Sequence, residues 1–111
     1  MLKTIEWTRD GIRILDQTAL PDHEIYLNLE NVDQLIDAIK KLKIRGAPAL
    51  GIAGAYGMCL ALAALVKNNQ ENFDTDIELV SQRILSSRPT AVNLCWGVER
   101  IKKTINGCRN S

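Results

Sequence analysis

The spacing of apolar residues changes once along this chain, near residue 30. Ahead of that point it has the character of strands. Ile5-Glu6-Trp7-Thr8 and Ile12-Arg13-Ile14-Leu15 alternate or cluster strand formers, and Arg9-Asp10-Gly11 between them supplies a glycine-containing hairpin loop. Glu24-Ile25-Tyr26-Leu27-Asn28-Leu29 alternates with period two, as a half-buried strand does, after a turn at Leu20-Pro21-Asp22. These segments predict a small antiparallel sheet of two to three strands.

Beyond residue 30 the period becomes helical, in four segments. Asn31 caps the first, with Gln34 in the capping-box position, and Val32, Leu35, Ile36, Ile39 and Leu42 share its apolar face. The second starts near Pro48, whose missing N–H is harmless in a first turn, and runs to about Val66. The third follows Asp74 or Thr75, where Thr75-Asp76-Ile77-Glu78 reads as a capping box, and buries Ile77, Val80, Ile84 and Leu85. The fourth follows Arg88-Pro89-Thr90, with Thr90 as its cap. Leu94, Val98, Ile101 and Ile105 form its stripe, and Gly107 marks its end. The expected fold is α+β: a small N-terminal antiparallel sheet followed by a four-helix bundle, in a single domain over residues 1–111.

Composition narrows what such a domain does. At 111 residues it can bury a real core, and 46% hydrophobic with 24% charged residues is a globular balance. A net charge of +1 gives no electrostatic case for nucleic acid or an anionic membrane as partner. Three scattered cysteines (Cys59, Cys95 and Cys108) and a single histidine, His23, argue against a disulfide framework, a His-ligated zinc and a Ser-His-Asp triad. The charged start Met1-Leu2-Lys3-Thr4-Ile5-Glu6 is unlike a signal peptide, so a cytoplasmic location is expected. Gly46 to Val66 carries no charge and has the length of a bilayer span. Its four glycines and its proline favour a buried core helix over a membrane helix.

One doubled pattern points to chemistry. Arg45-Gly46-Ala47-Pro48 and Arg88-Pro89-Thr90 each put an arginine just before a helix start. Free N–H groups and the positive end of the helix dipole bind anions there, and a guanidinium adds a planar fork matched to phosphate or carboxylate. Short connections make successive helices antiparallel, so the second and fourth run parallel and bring both starts to one end. Arg45 and Arg88 can then converge on a single phosphate. The plainer reading of each alone is a solvated loop residue.

The other candidates read as structural. Gly51, Gly54 and Gly57 recur every third residue, which suits close packing of a neighbouring element better than a dinucleotide site. Cys95 lies in the first turn of the fourth helix but has no base nearby and reads as a buried thiol. His23 belongs on the surface, Asp16 and Asp22 suit hydrogen bonds to backbone, and Trp7 and Trp96 suit the core or its edge. No carboxylate pair suggests general acid/base work.

Three stretches together resemble one family: Leu15-Asp16-Gln17-Thr18-Ala19-Leu20-Pro21, Ile44-Arg45-Gly46-Ala47-Pro48-Ala49-Leu50-Gly51, and Arg88-Pro89-Thr90-Ala91-Val92-Asn93-Leu94. Over essentially its whole length the chain is similar to the N-terminal domain of the methylthioribose-1-phosphate isomerases. That family shares its fold with the alpha, beta and delta subunits of eIF-2B and with ribose-1,5-bisphosphate isomerase. The resemblance implies an isomerase of methionine salvage that turns 5-methylthioribose 1-phosphate, an aldose, into 5-methylthioribulose 1-phosphate, a ketose, with no metal or organic cofactor. It implies substrate-binding roles for Arg45, Gly46, Ala47 and Arg88. The family's catalytic cysteine and aspartate come from a larger C-terminal Rossmann-like domain, which these 111 residues do not include. None of the three cysteines matches the catalytic one. The chain alone is therefore expected to be inactive, with a phosphosugar, the C-terminal domain or a homo-oligomer as partners. The alternative is a non-catalytic eIF-2B-like module that binds a protein or a sugar phosphate.

Overall fold

The computed structural model describes the backbone of residues 4–9, 11–67 and 73–109 and the side chains of 4–9, 11–67 and 74–105. Strands β1 (Ile5–Thr8), β2 (Gly11–Leu15) and β3 (Tyr26–Leu29) form one antiparallel sheet in that order. Thr8 pairs with Gly11, so Gly11 begins β2 and does not belong to the loop; Asp10, also expected in the loop, lies outside the described residues. Gly11 has φ 141, and a Cβ there would strike the Leu29 carbonyl, which explains the glycine. The β2–β3 register sets Ile12 opposite Leu29 and Ile14 opposite Leu27, and Ile12, Ile14 and Leu29 face the helices as buried residues. β3 is two residues shorter at its start than the alternation from Glu24 suggests, because Glu24 and Ile25 are exposed.

Four helices follow: α1 (Val32–Lys40), α2 (Ala47–Lys67), α3 (Phe73–Ser87) and α4 (Val92–Arg109). Asn31 caps α1 by accepting the Gln34 N–H at 2.9 Å, and the Gln34 side chain accepts the N–H of Glu30 at 2.7 Å. Leu35, Ile36 and Ile39 are buried as their spacing requires, but Leu42 is not. α1 ends two residues before it, and Leu42 takes the left-handed conformation (φ 62) that turns the chain away, leaving its side chain 44% exposed.

Three helix ends also differ from expectation. α3 begins at Phe73, so Thr75 lies inside its first turn and is not its cap. α4 begins at Val92, one residue later than a Thr90 cap allows, because Arg88-Pro89-Thr90-Ala91 closes as a turn through the Ala91 N–H and Arg88 carbonyl, 3.0 Å apart. At the far end α4 continues through Gly107 to Arg109.

The long apolar helix α2 is the centre of the bundle and touches α1, α3, α4 and β1. By length and composition it could cross a membrane. In this fold Leu50, Gly51, Ala53, Gly54, Gly57, Met58 and Ala61 are buried against protein. Ile12, Ile14, Leu35, Ile39, Ile84, Leu94 and Val98 complete the core, and full burial of such a side chain is worth about 1.5–3 kcal/mol. The glycine spacing in α2 finds its use here. Gly51 and Gly54 meet the α4 backbone at Asn93 and Leu94, Gly97 meets the Gly51 carbonyl from the other side, and Gly57 receives the side chains of Leu35 and Ile84.

The tryptophans are more exposed than expected. Trp7 is 45% exposed and packs edge-on against Tyr56 with ring centres 5.5 Å apart. Trp96 is 61% exposed, because it stands on the α4 face opposite Leu94 and Val98, with the Arg100 guanidinium 5.4 Å from its ring centre.

Candidate functional site

The glycine contacts fix the relation of α2 to α4. Gly51 lies against Asn93 and Gly54 against Leu94 and Val98, so the two chains advance in the same direction and both helices start at one end of the bundle. Gly46 precedes α2 with φ 95, a conformation that favours glycine, and its carbonyl accepts the Leu50 N–H at 3.0 Å to open the helix. At the start of α4 the Ala91 carbonyl accepts the Cys95 N–H at 3.3 Å. Ala91 has no side-chain acceptor, so the first N–H groups of α4 keep their capacity for an outside ligand.

Arg45, Gly46, Ala47 and Arg88 all line one open cavity of about 420 Å³ between these two starts, together with Thr90 and Asn93. Arg45, Gly46 and Ala47 are exposed and Arg88 is half-buried. Among the described residues neither arginine pairs with a carboxylate, whereas Arg13, Arg83, Lys41 and Lys102 each do. Two unpaired guanidinium groups and two helix N-termini therefore face the same space, where a negative ligand is favoured. Among the described residues the cavity lining carries no carboxylate, imidazole or thiol, and so no group that could shuttle a proton near neutral pH.

Thr90 and Asn93 also line the cavity; the helix pattern marks Thr90 only as a cap and does not mark Asn93. Both lie within the Arg88–Leu94 stretch, which was the available signal.

A second cavity of about 410 Å³ adjoins the first, and Arg88 and Ala91 line both. Cys95 opens onto it and is exposed, not buried as expected, because it faces the gap between α3 and α4 beside Gln82 and Leu85. Cys59 is half-buried, and that burial pushes its thiol above the ordinary range. The side chain of Cys108 lies outside the described residues. His23 is exposed in the link before β3. Asp16 is buried and accepts hydrogen bonds from the Thr18 N–H and hydroxyl, at 2.9 and 2.6 Å. Cys59, Cys95, His23 and Asp16 do not line the arginine cavity.

Known proteins are similar to this chain in sequence and fold. The chain is 42% identical over 109 residues to methylthioribose-1-phosphate isomerase 2 of Pseudothermotoga lettingae, a match covering 98% of this chain and 31% of that protein. The solved 5-methylthioribose 1-phosphate isomerase of Pyrococcus horikoshii OT3 superposes with a TM-score of 0.83 at 28% identity, over 96% of this chain and 30% of that one. The eIF-2B delta subunit of A. fulgidus superposes with a TM-score of 0.72 at 44% identity, over 90% of this chain and 29% of that one. The chain thus spans under a third of the length of these relatives and matches their N-terminal part. The model of the initiation factor 2 subunit family matches residues 43–111, which include both arginines of the cavity and all of α2, α3 and α4. This chain belongs to that family.

Proposed function

We propose that these residues are the substrate-binding N-terminal part of an aldose–ketose isomerase that converts 5-methylthioribose 1-phosphate to 5-methylthioribulose 1-phosphate in methionine salvage, in the cytoplasm. The observation that carries this reading is the convergence of Arg45 and Arg88, both without a carboxylate partner among the described residues, on one cavity at the parallel starts of α2 and α4. The named isomerases among its relatives support the choice of anion. Arg45 and Arg88 grip the phosphate oxygens from two sides. Gly46 and Ala47 offer backbone N–H groups, and a Cβ-free Gly46 lets the ligand approach.

The division of labour follows from the chemistry. The anomeric oxygen of the substrate carries the phosphate, so its ring cannot open as a free sugar's does. Moving hydrogen between C1 and C2 needs a positioned acid and base in a dry pocket. The lining of this cavity has neither, so its share is binding and orientation. Two charge-assisted contacts of about 1.5–3 kcal/mol each stand against an association cost of about 4–15 kcal/mol. Millimolar or weaker binding by the chain alone is the expected result.

The test is a titration of the isotope-labelled chain with inorganic phosphate and then with 5-methylthioribose 1-phosphate at constant ionic strength. Saturable amide shifts at Gly46, Ala47, Thr90 and Asn93, abolished in Arg45→Ala/Arg88→Ala, support the clamp. Shifts that the double variant leaves unchanged overturn it. The likeness to eIF-2B delta favours a second reading, a binding module without turnover. Isomerase activity on adding back the C-terminal two-thirds of a relative would exclude it.

A further inference from the structure

Arg45 sits in the link between α1 and α2, and that link is held from outside. Its first part is the end of α1: the N–H groups of Leu42 and Lys43 donate to the carbonyls of Ile39 and Ala38, at 3.2 and 3.0 Å. Its last part is anchored by Ile44, which is 3% exposed. At the midpoint the Lys43 carbonyl accepts the backbone N–H of Gln17 at 3.0 Å. Gln17 belongs to neither helix. It opens the 3-10 turn Gln17–Ala19 between β2 and β3, which reaches across to meet the link two residues before Arg45.

Asp16 sets that turn. Its carboxylate accepts the N–H and the hydroxyl of Thr18, its own N–H donates to the Ile25 carbonyl at 2.7 Å, and its carbonyl accepts the Ala19 N–H at 3.2 Å. It is 8% exposed. A carboxylate that far out of water is costly unless well bonded, and charge-assisted bonds are about twice as strong as neutral ones. A plain surface turn needs no such group. Here the group fixes the direction of one N–H, that of Gln17, and this N–H holds the carbonyl of Lys43.

We propose that Asp16 is a positioning residue for Arg45: through the Gln17–Lys43 hydrogen bond it holds the Arg45–Gly46 corner at the mouth of the anion cavity. The proposal rests on the phosphate-clamp reading of that cavity. Asp16 touches no ligand, and its effect is confined to the Arg45 half of the clamp. The Arg88 half stands on α3 and α4.

Two variants separate positioning from mere turn stability. Gln17→Pro removes the donated N–H and keeps the turn, because the first position of such a turn tolerates proline and Asp16 already has the extended backbone (φ −67, ψ 105) that precedes one. Asp16→Asn keeps the acceptor oxygen and is the rescuing variant, whereas Asp16→Ala lacks it. The readout is the phosphate titration of the labelled 111-residue chain. Gln17→Pro and Asp16→Ala should weaken the phosphate dissociation constant about three- to tenfold, the size of one hydrogen bond. They should lose the shifts of Gly46 and Ala47 and keep those of Thr90 and Asn93, and Asp16→Asn should restore the first pair. Wild-type binding and wild-type Gly46 and Ala47 shifts in Gln17→Pro would overturn the proposal, even where Asp16→Ala fails to fold. A wild-type chain with no phosphate response overturns the clamp instead. Amide relaxation at Arg45 and Gly46 then decides the positioning: faster local motion in Gln17→Pro upholds it, and unchanged motion rejects it.

Discussion

Gly54 faces the carbonyl oxygen of Leu94 so closely that a Cβ on Gly54 would stand 2.6 Å from it, and 3.2 Å from a methyl of Val98. The obstacle is backbone, which cannot swing aside as a side-chain end can. Gly54→Ala gains about 1 kcal/mol of helix propensity, yet overpacking costs about 1–3 kcal/mol and more where backbone must move. The expected result is a lower urea midpoint. A midpoint equal to or above the wild type would show that α2 and α4 separate easily.

Leu42 offers the opposite sign. It occupies the left-handed position that ends α1, where an L side chain costs about 1–2 kcal/mol and glycine avoids it. Glycine returns about 0.5–1 kcal/mol of that as unfolded-state entropy. Leu42→Gly should therefore raise stability by about 0.5–1 kcal/mol in the same denaturation experiment. A loss would mean that the half-exposed leucine contributes packing of its own.

The two described thiols should react at different rates. Cys95 is exposed, whereas Cys59 is half-buried with its pKa pushed up by desolvation. Only the thiolate is nucleophilic. In a Cys108→Ser background, mass mapping after brief alkylation at mildly alkaline pH should find the label on Cys95 first. Equal labelling would indicate that the α2 face around Cys59 opens.

An ion triad ties α3 to α4. Lys102 Nζ lies 2.7 Å from the Glu78 carboxylate and 3.7 Å from that of Glu99. The hydrogen bond with Lys102, then its charge, holds Glu78 below the ordinary glutamate range; the same bond, opposed by desolvation and aided by Glu99, holds Lys102 above the ordinary lysine range. A depressed Glu78 contributes stability that is present above its unfolded pKa of about 4.3 and is lost as pH falls through its folded value. A raised Lys102 contributes stability that is full below about 10.4 and is lost as pH rises through its folded value. Lys102→Met should flatten both ends of the stability–pH profile. Because Glu78 is exposed to solvent and Lys102 only half-buried, the change at neutral pH should be small. An unaltered acid limb in that variant would leave Glu78 without a role there.

Large apolar side chains remain exposed on α4 and α2. Val92 is 78% exposed, Trp96 61% and Ile52, on α2, 41%. If these side chains meet further chain in a longer isomerase, the 111 residues alone should bind a hydrophobic dye or self-associate, and Trp96→Ser should reduce both. A self-sufficient binding module should be monodisperse and bind no dye.

Much of this was readable from local pattern. Asn31 with Gln34, the core stripe Leu94–Val98 and the glycines of α2 each obey a rule that operates within one or two turns. Even the shared end of α2 and α4, and with it the meeting of Arg45 and Arg88, followed from counting helix reversals. Trp96 escapes the core because register outweighs residue type: two places beyond Leu94, it lies off the buried stripe. The start of α4 is not legible to the residue, since Thr90 resembles a cap whether or not the Arg88–Ala91 turn delays the helix. The Gln17–Lys43 bond had no local signal. It joins backbone atoms across the fold, and no side-chain pattern specifies it.

The glycine contacts of α2 also act as a gauge. Ordinary helix pairs stand about 8–10 Å apart, with the spacing set by whatever side chains meet between them. With glycine on both sides of the seam, at Gly51, Gly54 and Gly97, backbone meets backbone there, and no side chain of these residues holds the two helix mouths apart. The width of the cavity between them then depends on the seam as well as on the loops that carry the arginines. A larger residue at Gly54 or Gly97 would resize that cavity without touching either arginine.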